Sequence, residues 1–214
     1  MKHNPLVIIE GNIASGKSTA AAELGKRLNM RVLQEPVDEE LLKLFYEDKD
    51  RWAFPFQIEM LHRRWALQMS AASETLLDAG YEGAILDRSL QGDLVFCRAL
   101  YEAGVIHAKE FEIYLNALRS MKLVLYPPTV FVYLSAQPET CFERLKKRNR
   151  LQEEGVELSY LKTIHEGYQR LLHEVKTGAY PWSHAVTVLV APWDPDTVTD
   201  EAWNRTAAMV SEVC

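Results

Sequence analysis

The chain has 214 residues, of which 48% are hydrophobic and 25% charged, and its formal net charge is −6 at pH 7. This balance is typical of one globular domain over residues 1–214, and it disfavours collagen-like, coiled-coil and disordered chains. Nucleic acid and anionic membranes are not expected as partners, because an acidic protein repels both at long range. Three cysteines without metal-ligand spacing, no membrane-length apolar run and no leader-like start predict a cytoplasmic chain.

Five short apolar runs alternate with longer stretches of helical character. The runs are Leu6–Ile9, Arg31–Gln34, Gly83–Leu86, Val130–Leu134 and Val186–Val190. Continuous apolar residues are typical of strands that are buried on both faces. The sequence therefore predicts an α/β fold, with a five-stranded parallel sheet flanked by helices. Residues 39–80 are expected to form two or three helices, one of them interrupted at Pro55.

The segment after the first predicted strand has the pattern of a phosphate-binding loop. Residues 11–18 read GNIASGKS, which fits G-x-x-x-x-G-K-[ST] between a strand and a helix. The glycines let backbone N–H groups face a phosphate, Lys17 can reach the β- and γ-phosphates, and Ser18 can bind Mg²⁺. This pattern alone predicts a nucleoside triphosphate site without specifying a reaction.

Charged side chains follow the next two predicted strands. Glu35 comes after the second strand, and Asp87 and Arg88 come after the third. Ligands of open α/β sheets bind at the carboxyl ends of the strands, so we expect these groups to lie near the phosphate loop. Asp87 could hold Mg²⁺, and Arg88 could face a phosphate or Glu35. A surface carboxylate before a turn proline, and a structural Asp–Arg pair, are the open alternatives.

A basic segment follows the fourth predicted strand. A helix beginning near Pro138 ends in residues 144–150, where five of seven side chains are basic. Arg144 and Arg148 share one helical face, and such a run is usually a solvated surface. Here a bound triphosphate would need its charge neutralised, and guanidinium groups suit that task. We therefore predict a helical, arginine-rich lid at about residues 144–154.

Together these segments resemble the deoxynucleoside kinase family, of the deoxycytidine, deoxyguanosine and deoxyadenosine kinase kind. The matching pieces are IEGNIASGKST (9–19), QEPV (34–37), YEDKDRWAFPFQ (46–57), LDRS (86–89) and RLKKRNRLQEEGVELSYL (144–161). The resemblance implies a P-loop NTPase-like fold and ATP-dependent phosphorylation of a deoxynucleoside 5′-hydroxyl in nucleotide salvage, with Mg²⁺ as cofactor. Family members are commonly homodimers, so a homodimer is expected.

The resemblance also implies roles for single positions. Glu35 looks like the general base, Arg88 and Lys17 act beside it, and Ser18 and Asp87 hold Mg²⁺. The implied ATP-binding residues are Gly11, Asn12, Ile13, Ala14, Ser15, Gly16, Lys17, Ser18, Thr19, Arg144, Arg148 and Arg150. The expected deoxynucleoside-binding residues are Glu35, Tyr46, Trp52, Gln57, Met60, Arg64, Arg88, Asp93, Phe96 and Glu153.

Within that second set, Tyr46 and Glu153 resemble the pair that binds the sugar 3′-hydroxyl, and Phe96 is expected to stack on the base. Core packing is the open alternative for Tyr46, Trp52 and Met60.

Hydrogen-bonding capacity suggests which base is accepted. Gln57 offers a donor beside an acceptor, which matches the amino group and ring nitrogen of adenine. Arg64 lies two helical turns further on, and Asp93 could pair with it and accept from an exocyclic amine. Thymine has no such amine. We therefore predict that purine deoxynucleosides are preferred, that deoxycytidine comes next, and that thymidine is disfavoured.

Two rival functions remain open. A nucleoside monophosphate kinase, thymidylate kinase above all, shares the phosphate loop and the E-P and D-R pairs, but it usually has an arginine where this chain has Gln34. A non-catalytic nucleotide-binding subunit of the same fold tends to lose the lysine, the base or the lid arginines, all of which are present here.

Overall fold

A computed structural model describes residues 5–35, 37–77, 80–125, 127–150, 153, 155–177, 186–194 and 197–214. Within them the chain alternates strands and helices. The strands are β1 (Leu6–Gly11), β2 (Arg31–Leu33), β3 (Ala84–Asp87), β4 (Val130–Ser135) and β5 (Thr187–Pro192). The helices are α1 (Lys17–Leu28), α2 (Glu39–Glu47), α3 (Lys49–Leu77), α4 (Leu90–Glu102), α5 (Ala108–Lys122), α6 (Pro138–Arg148), α7 (Leu158–Lys176) and α8 (Asp200–Val213). None of these helices is both long and apolar enough to cross a membrane.

The five strands form one parallel sheet in the order β2-β3-β1-β4-β5. This confirms the predicted five-stranded parallel sheet, with strand ends shifted by at most two residues. Ile9 of β1 pairs with Asp87 of β3, and Gly11 pairs with Leu134 of β4. The central strands therefore end level with one another, and the loops that follow them meet at one edge.

Both faces of the sheet are covered by helices. On β1, Leu6 and Ile8 pack into a core with α3, α4, α5 and α7. Val7 and Ile9 pack into a second core with α1, α6 and α8 on the other face. This two-sided burial explains why the strands read as continuous apolar runs in the sequence.

One local expectation was wrong, and one helix ends two residues earlier than expected. Pro55 does not interrupt a helix, since α3 continues through it. Pro55 and Arg51 are both exposed, so water can serve the carbonyl that the proline leaves without an N–H partner. The helix of the arginine-rich segment, α6, ends at Arg148, because Asn149 adopts a left-handed conformation with φ 47°. Arg150 therefore follows the helix, and residues 151, 152 and 154 of the predicted lid lie outside the described part of the chain.

Candidate active site

A cavity of about 250 Å³ lies at the carboxyl ends of β1, β2 and β3. Its lining combines side chains from the phosphate loop, from the ends of the strands, from α2 and α3, and from the lid. The charged and hydroxyl-bearing lining residues are Lys17, Ser18, Glu35, Tyr46, Arg64, Asp87, Arg88, Arg148, Arg150, Glu153 and Tyr160. Segments remote in sequence thus converge on one space, as the strand-end rule predicts.

The phosphate loop wraps the first turn of α1. Gly16 caps this helix with φ 96°, a left-handed conformation that glycine adopts without steric cost. Lys17 is buried and donates from Nζ to the carbonyl oxygen of Asn12 at 2.7 Å. Burial, reinforced by nearby Arg88, lowers the pKa of the Lys17 ammonium to about 7. Asn12 Nδ2 in turn donates to the carbonyl of Leu161 at 2.8 Å, which ties the loop to α7.

Glu35 projects from the end of β2 between two arginines. Arg64 donates to its Oε1 from Nε at 3.0 Å and also from Nη2. Arg88 donates from Nε to Oε2 at 3.1 Å. Burial raises the pKa of the Glu35 carboxyl, but the two arginines outweigh it, so the net pKa is below the ordinary value. Glu35 is therefore ionised at neutral pH and can accept a proton.

Arg88 is held in a left-handed backbone conformation with φ 73°. Such a conformation costs about 1–3 kcal/mol in a residue other than glycine, and it is characteristic of functional sites. The backbone N–H of Arg88 donates to the carbonyl oxygen of Ile9 at 3.0 Å. The Nη1 atom of Arg88 donates to the hydroxyl of Tyr168 at 2.9 Å. Its Cζ also lies 4.6 Å from the ring centre of Phe96. The guanidinium is thus fixed on several sides, at the wall of the cavity.

Behind Arg88 lies a buried carboxylate that the sequence analysis missed. Glu10 is fully buried in β1, and it accepts from Ser89 Oγ at 2.6 Å and from Tyr168 Oη at 2.7 Å. Gly92 leaves room for it, because a Cβ at that position would overlap the carboxylate. The signal was present in the sequence, since a charged residue in a strand buried on both faces needs partners.

One face of α3 forms the opposite wall. Gln57, Met60 and Arg64 line the cavity, and their spacing of three and four residues places them on one side of the helix. Trp52 does not line the cavity. It lies five residues before Gln57, which is about 140° around a helix, and it packs on the core and under Arg51.

Ser18 and Asp87 meet at the floor of the cavity. Ser18 Oγ donates to Asp87 Oδ2 at 2.5 Å. Asp87 Oδ1 is buried and has no hydrogen-bond partner among the described residues. A hydroxyl and a carboxylate with a spare oxygen are the oxygen ligands that Mg²⁺ prefers, so the residues present fit the predicted metal.

The lid residues approach from the side of α6 and α7. Arg148 pairs with Glu153, and both line the cavity together with Arg150 and Tyr46. Burial raises the pKa of the Tyr46 hydroxyl, with Glu153 adding to the effect, so this group stays protonated.

Arg144 does not line the cavity; its guanidinium donates to the carbonyls of Ser15 and Trp193, at 3.0 and 2.9 Å. Arg144 thus holds the phosphate loop from outside.

Phe96 lines the cavity, as expected. Asp93 is fully buried and does not line the cavity, and Thr19 is exposed and does not line it either. Sequence reasoning missed the lining side chains of α2 and its neighbours: Val37, Leu42, Phe45 and Phe56. Apolar residues on an amphipathic helix give no sequence signal that separates a cavity wall from a core.

Comparison with known proteins identifies the family. The profile of the family described as "Deoxynucleoside kinase" matches residues 7–213. A deoxyguanosine kinase of Dictyostelium discoideum is 32% identical over 88% of this chain, and the match spans only 64% of that relative's length. A deoxyadenosine kinase of the same organism is 30% identical over 79% of this chain, and the match spans 67% of that relative's length.

The fold is also similar to that of a solved kinase structure. The structure of a deoxyadenosine kinase from M. mycoides, solved with the products dCMP and a flexible dCDP bound, superposes with a TM-score of 0.78 at 24% identity. That likeness covers 97% of this chain and 100% of the other. With the profile match extending over nearly all of the sequence, the chain belongs to the deoxynucleoside kinase family of phosphotransferases.

Proposed function

We propose that this chain transfers the γ-phosphoryl group of ATP to the 5′-hydroxyl of a deoxynucleoside, preferring purine deoxynucleosides and then deoxycytidine. The observation that carries the proposal is that Lys17 and Glu35 line the same cavity. The lysine of the phosphate loop and an ionised proton acceptor therefore face one space.

In the proposed reaction the acceptor 5′-oxygen attacks the γ-phosphorus as its proton passes to Glu35. The bond from that phosphorus to the β–γ bridging oxygen breaks, and ADP leaves. Phosphoryl transfer passes through a loose transition state with charge on the transferred oxygens, so Arg88 and Lys17 act by neutralising that charge. An arginine so placed is worth about 10³–10⁵ in rate, and a general base about 10²–10⁴.

Mg²⁺ is proposed to bind at Ser18 and Asp87, where it would neutralise the β- and γ-phosphates. Arg148 and Arg150 are proposed to add positive charge from the lid side. Tyr46 and Glu153 are proposed to bind the sugar 3′-hydroxyl, since a protonated phenol donates and a carboxylate accepts.

The purine preference rests on two side chains of α3. Gln57 is 3% exposed, and its Oε1 has no hydrogen-bond partner in the described residues. An unpaired buried amide costs about 1–3 kcal/mol, so a base edge with a matching donor is favoured, whichever base carries it, and the purine preference itself depends on Arg64. Arg64 has five N–H bonds and uses three of them on Glu35 and Asp93. Those that remain suit purine acceptors such as N7.

The test is a panel of initial rates with ATP and Mg²⁺. Deoxyadenosine, deoxyguanosine, deoxycytidine and thymidine are compared with dAMP and dTMP, and with a control that lacks acceptor. We expect the purine deoxynucleosides to react fastest. Fastest turnover of dTMP would favour a monophosphate kinase, and thymidine as the best nucleoside would overturn the base preference. ATP hydrolysis that ignores the acceptor would indicate a simple NTPase.

A matched pair of variants tests the base. Glu35→Gln removes the proton acceptor, whereas Glu59→Gln changes a carboxylate of α3 that pairs with Arg63 and does not line this cavity. Only the first is expected to lose turnover. The predicted homodimer is tested separately, by light scattering of the purified chain.

A further inference from the structure

Tyr114 makes a hydrogen bond that the reaction scheme does not use. It lies on α5, which packs on α3 and α4, and its side chain is fully buried. Its hydroxyl donates to Asp93 Oδ2 at 2.5 Å. Asp93 is fully buried too, and its Oδ1 accepts from Arg64 Nη1. A buried carboxylate needs partners on both oxygens, and Tyr114 supplies the one that Arg64 does not.

Arg64 passes this constraint on to the cavity. Its Nη1 is held by Asp93, while Nε and Nη2 donate to Glu35. A guanidinium is planar and rigid, so Asp93 at Nη1 and Glu35 at Nε and Nη2 together fix the direction of the remaining N–H bonds. The four residues therefore form a continuous series from α5 to the proposed base: Tyr114, Asp93, Arg64 and Glu35.

We propose that Tyr114 is a positioning residue that sets the choice of acceptor base: by fixing Asp93, it aims the remaining N–H bonds of Arg64 at the ring acceptors of a purine. The identity of the favoured base rests on the proposed function. The mechanical link from Tyr114 to Arg64 rests on the hydrogen bonds alone. Thymine lacks N7, so its recognition depends less on the direction of the guanidinium.

The electrostatics of the site agree with this link. Burial raises the pKa of the Asp93 carboxyl, while Arg64 and the Tyr114 hydroxyl pull it down. Without that hydroxyl Asp93 would hold Arg64 less firmly, and Arg64 would stabilise the Glu35 carboxylate less. The charged groups that face Glu35 are Arg64, Arg88 and Lys17, and the other titratable groups near Asp93 are Glu35 and Cys97. Asp93 and Cys97 interact with Tyr114 directly, whereas the hydrogen bonds lead from Tyr114 to Glu35 through Asp93 and Arg64.

The experiment compares Tyr114→Phe with Tyr133→Phe, which removes a hydroxyl from another fully buried tyrosine, on β4. A hydrogen bond to a charged group is worth about tenfold in an equilibrium constant. We expect Tyr114→Phe to lower the deoxyadenosine-to-thymidine ratio of kcat/KM about tenfold and to move the acidic limb of the pH profile to higher pH. The KM for ATP should stay unchanged. Tyr133→Phe should match wild type in all three.

A second pair of variants separates positioning from general packing. If Tyr114 acts through Asp93, adding Tyr114→Phe to Asp93→Asn produces no further change in the ratio. Site-specific 3-fluorotyrosine at position 114 keeps the ring and strengthens the donor, so it should move the acidic limb to lower pH. It also carries the test if Tyr114→Phe does not fold.

The outcomes are separable from failure of the proposed function. A wild-type protein that prefers thymidine would refute the purine proposal. The acidic limb of the pH profile and the change in the substrate ratio would still test the role of Tyr114. Calorimetric binding of deoxyadenosine without ATP gives a readout that needs no turnover, and Tyr114→Phe should weaken it. A substrate ratio, pH limb and deoxyadenosine affinity that all match wild type would overturn the role of Tyr114.

Discussion

Lys17 gives ATP binding a proton linkage that calorimetry can measure. Its pKa is about 7, because burial and nearby Arg88 disfavour the ammonium. At pH 8 a group with that pKa binds only about 0.1 proton, so Lys17 is mostly neutral in the free protein. The phosphates of ATP favour the charged form and raise the pKa again. Binding at pH 8 should therefore take up about 0.9 proton, and at pH 6 about 0.1.

The affinity for ATP should weaken at alkaline pH. Because the free protein must recover a proton to bind ATP, affinity should fall as the pH rises above 7, by at most about tenfold per unit. Titrations with ATP and Mg²⁺, without acceptor, in buffers of different ionisation enthalpy give the number of protons as a slope. At pH 8 ATP contributes little, since a phosphate loses its last proton near pH 6.

Two variants make the assignment specific. Lys17→Arg replaces the titrating group by one that stays charged, so the uptake should vanish. Lys122→Met removes another lysine whose pKa burial lowers, to about 8, at the end of α5 and outside the cavity lining. The Lys122→Met variant should take up as many protons on binding ATP as the wild-type protein does. No uptake at pH 8, or uptake that persists in Lys17→Arg, would refute the reasoning.

Three further variants test the groups around Arg88. Glu35→Gln should lower kcat at least about a hundredfold in steady-state assays while calorimetric ATP affinity survives, because only the proton acceptor is lost; near-normal turnover would remove Glu35 from its role. Tyr168→Phe leaves Glu10 and Arg88 one partner short and should cost about 1–3 kcal/mol of unfolding free energy in urea; an unchanged midpoint would contradict this. Gly92→Ala places a Cβ against Glu10 and should cost about 1–3 kcal/mol, read as a lower Tm, and wild-type stability would show that the carboxylate can move.

The parts of the site predicted from sequence were those set by topology. Apolar runs predict the strands, and the strand-end rule predicts that Lys17, Glu35 and Arg88 lie together, as they do in the cavity. The spacing of Gln57 and Arg64 placed both on one helical face. These predictions needed only chain direction and helical period, which the sequence carries locally.

The parts that were missed depend on contacts between remote residues. Tyr168 bonds to Glu10 across 158 positions, and Tyr114 bonds to Asp93 across 21. A tyrosine on an apolar helix face looks the same in sequence whether its hydroxyl supports an arginine of the cavity wall or its ring only fills a core. Arg144 was misplaced for a related reason, because helical spacing puts it beside Arg148 but does not show that it reaches loop carbonyls instead.

The uninterrupted course of α3 has a consequence for how acceptor selectivity can change. Gln57, Met60 and Arg64 lie on one continuous helix of 29 residues, so one residue inserted before Gln57 would turn all three by about 100° relative to the preceding turns. A change of length there would move the whole set away from the cavity, unlike a change of length in a surface loop. New selectivity is therefore expected to arise by exchange of side chains at fixed positions along α3.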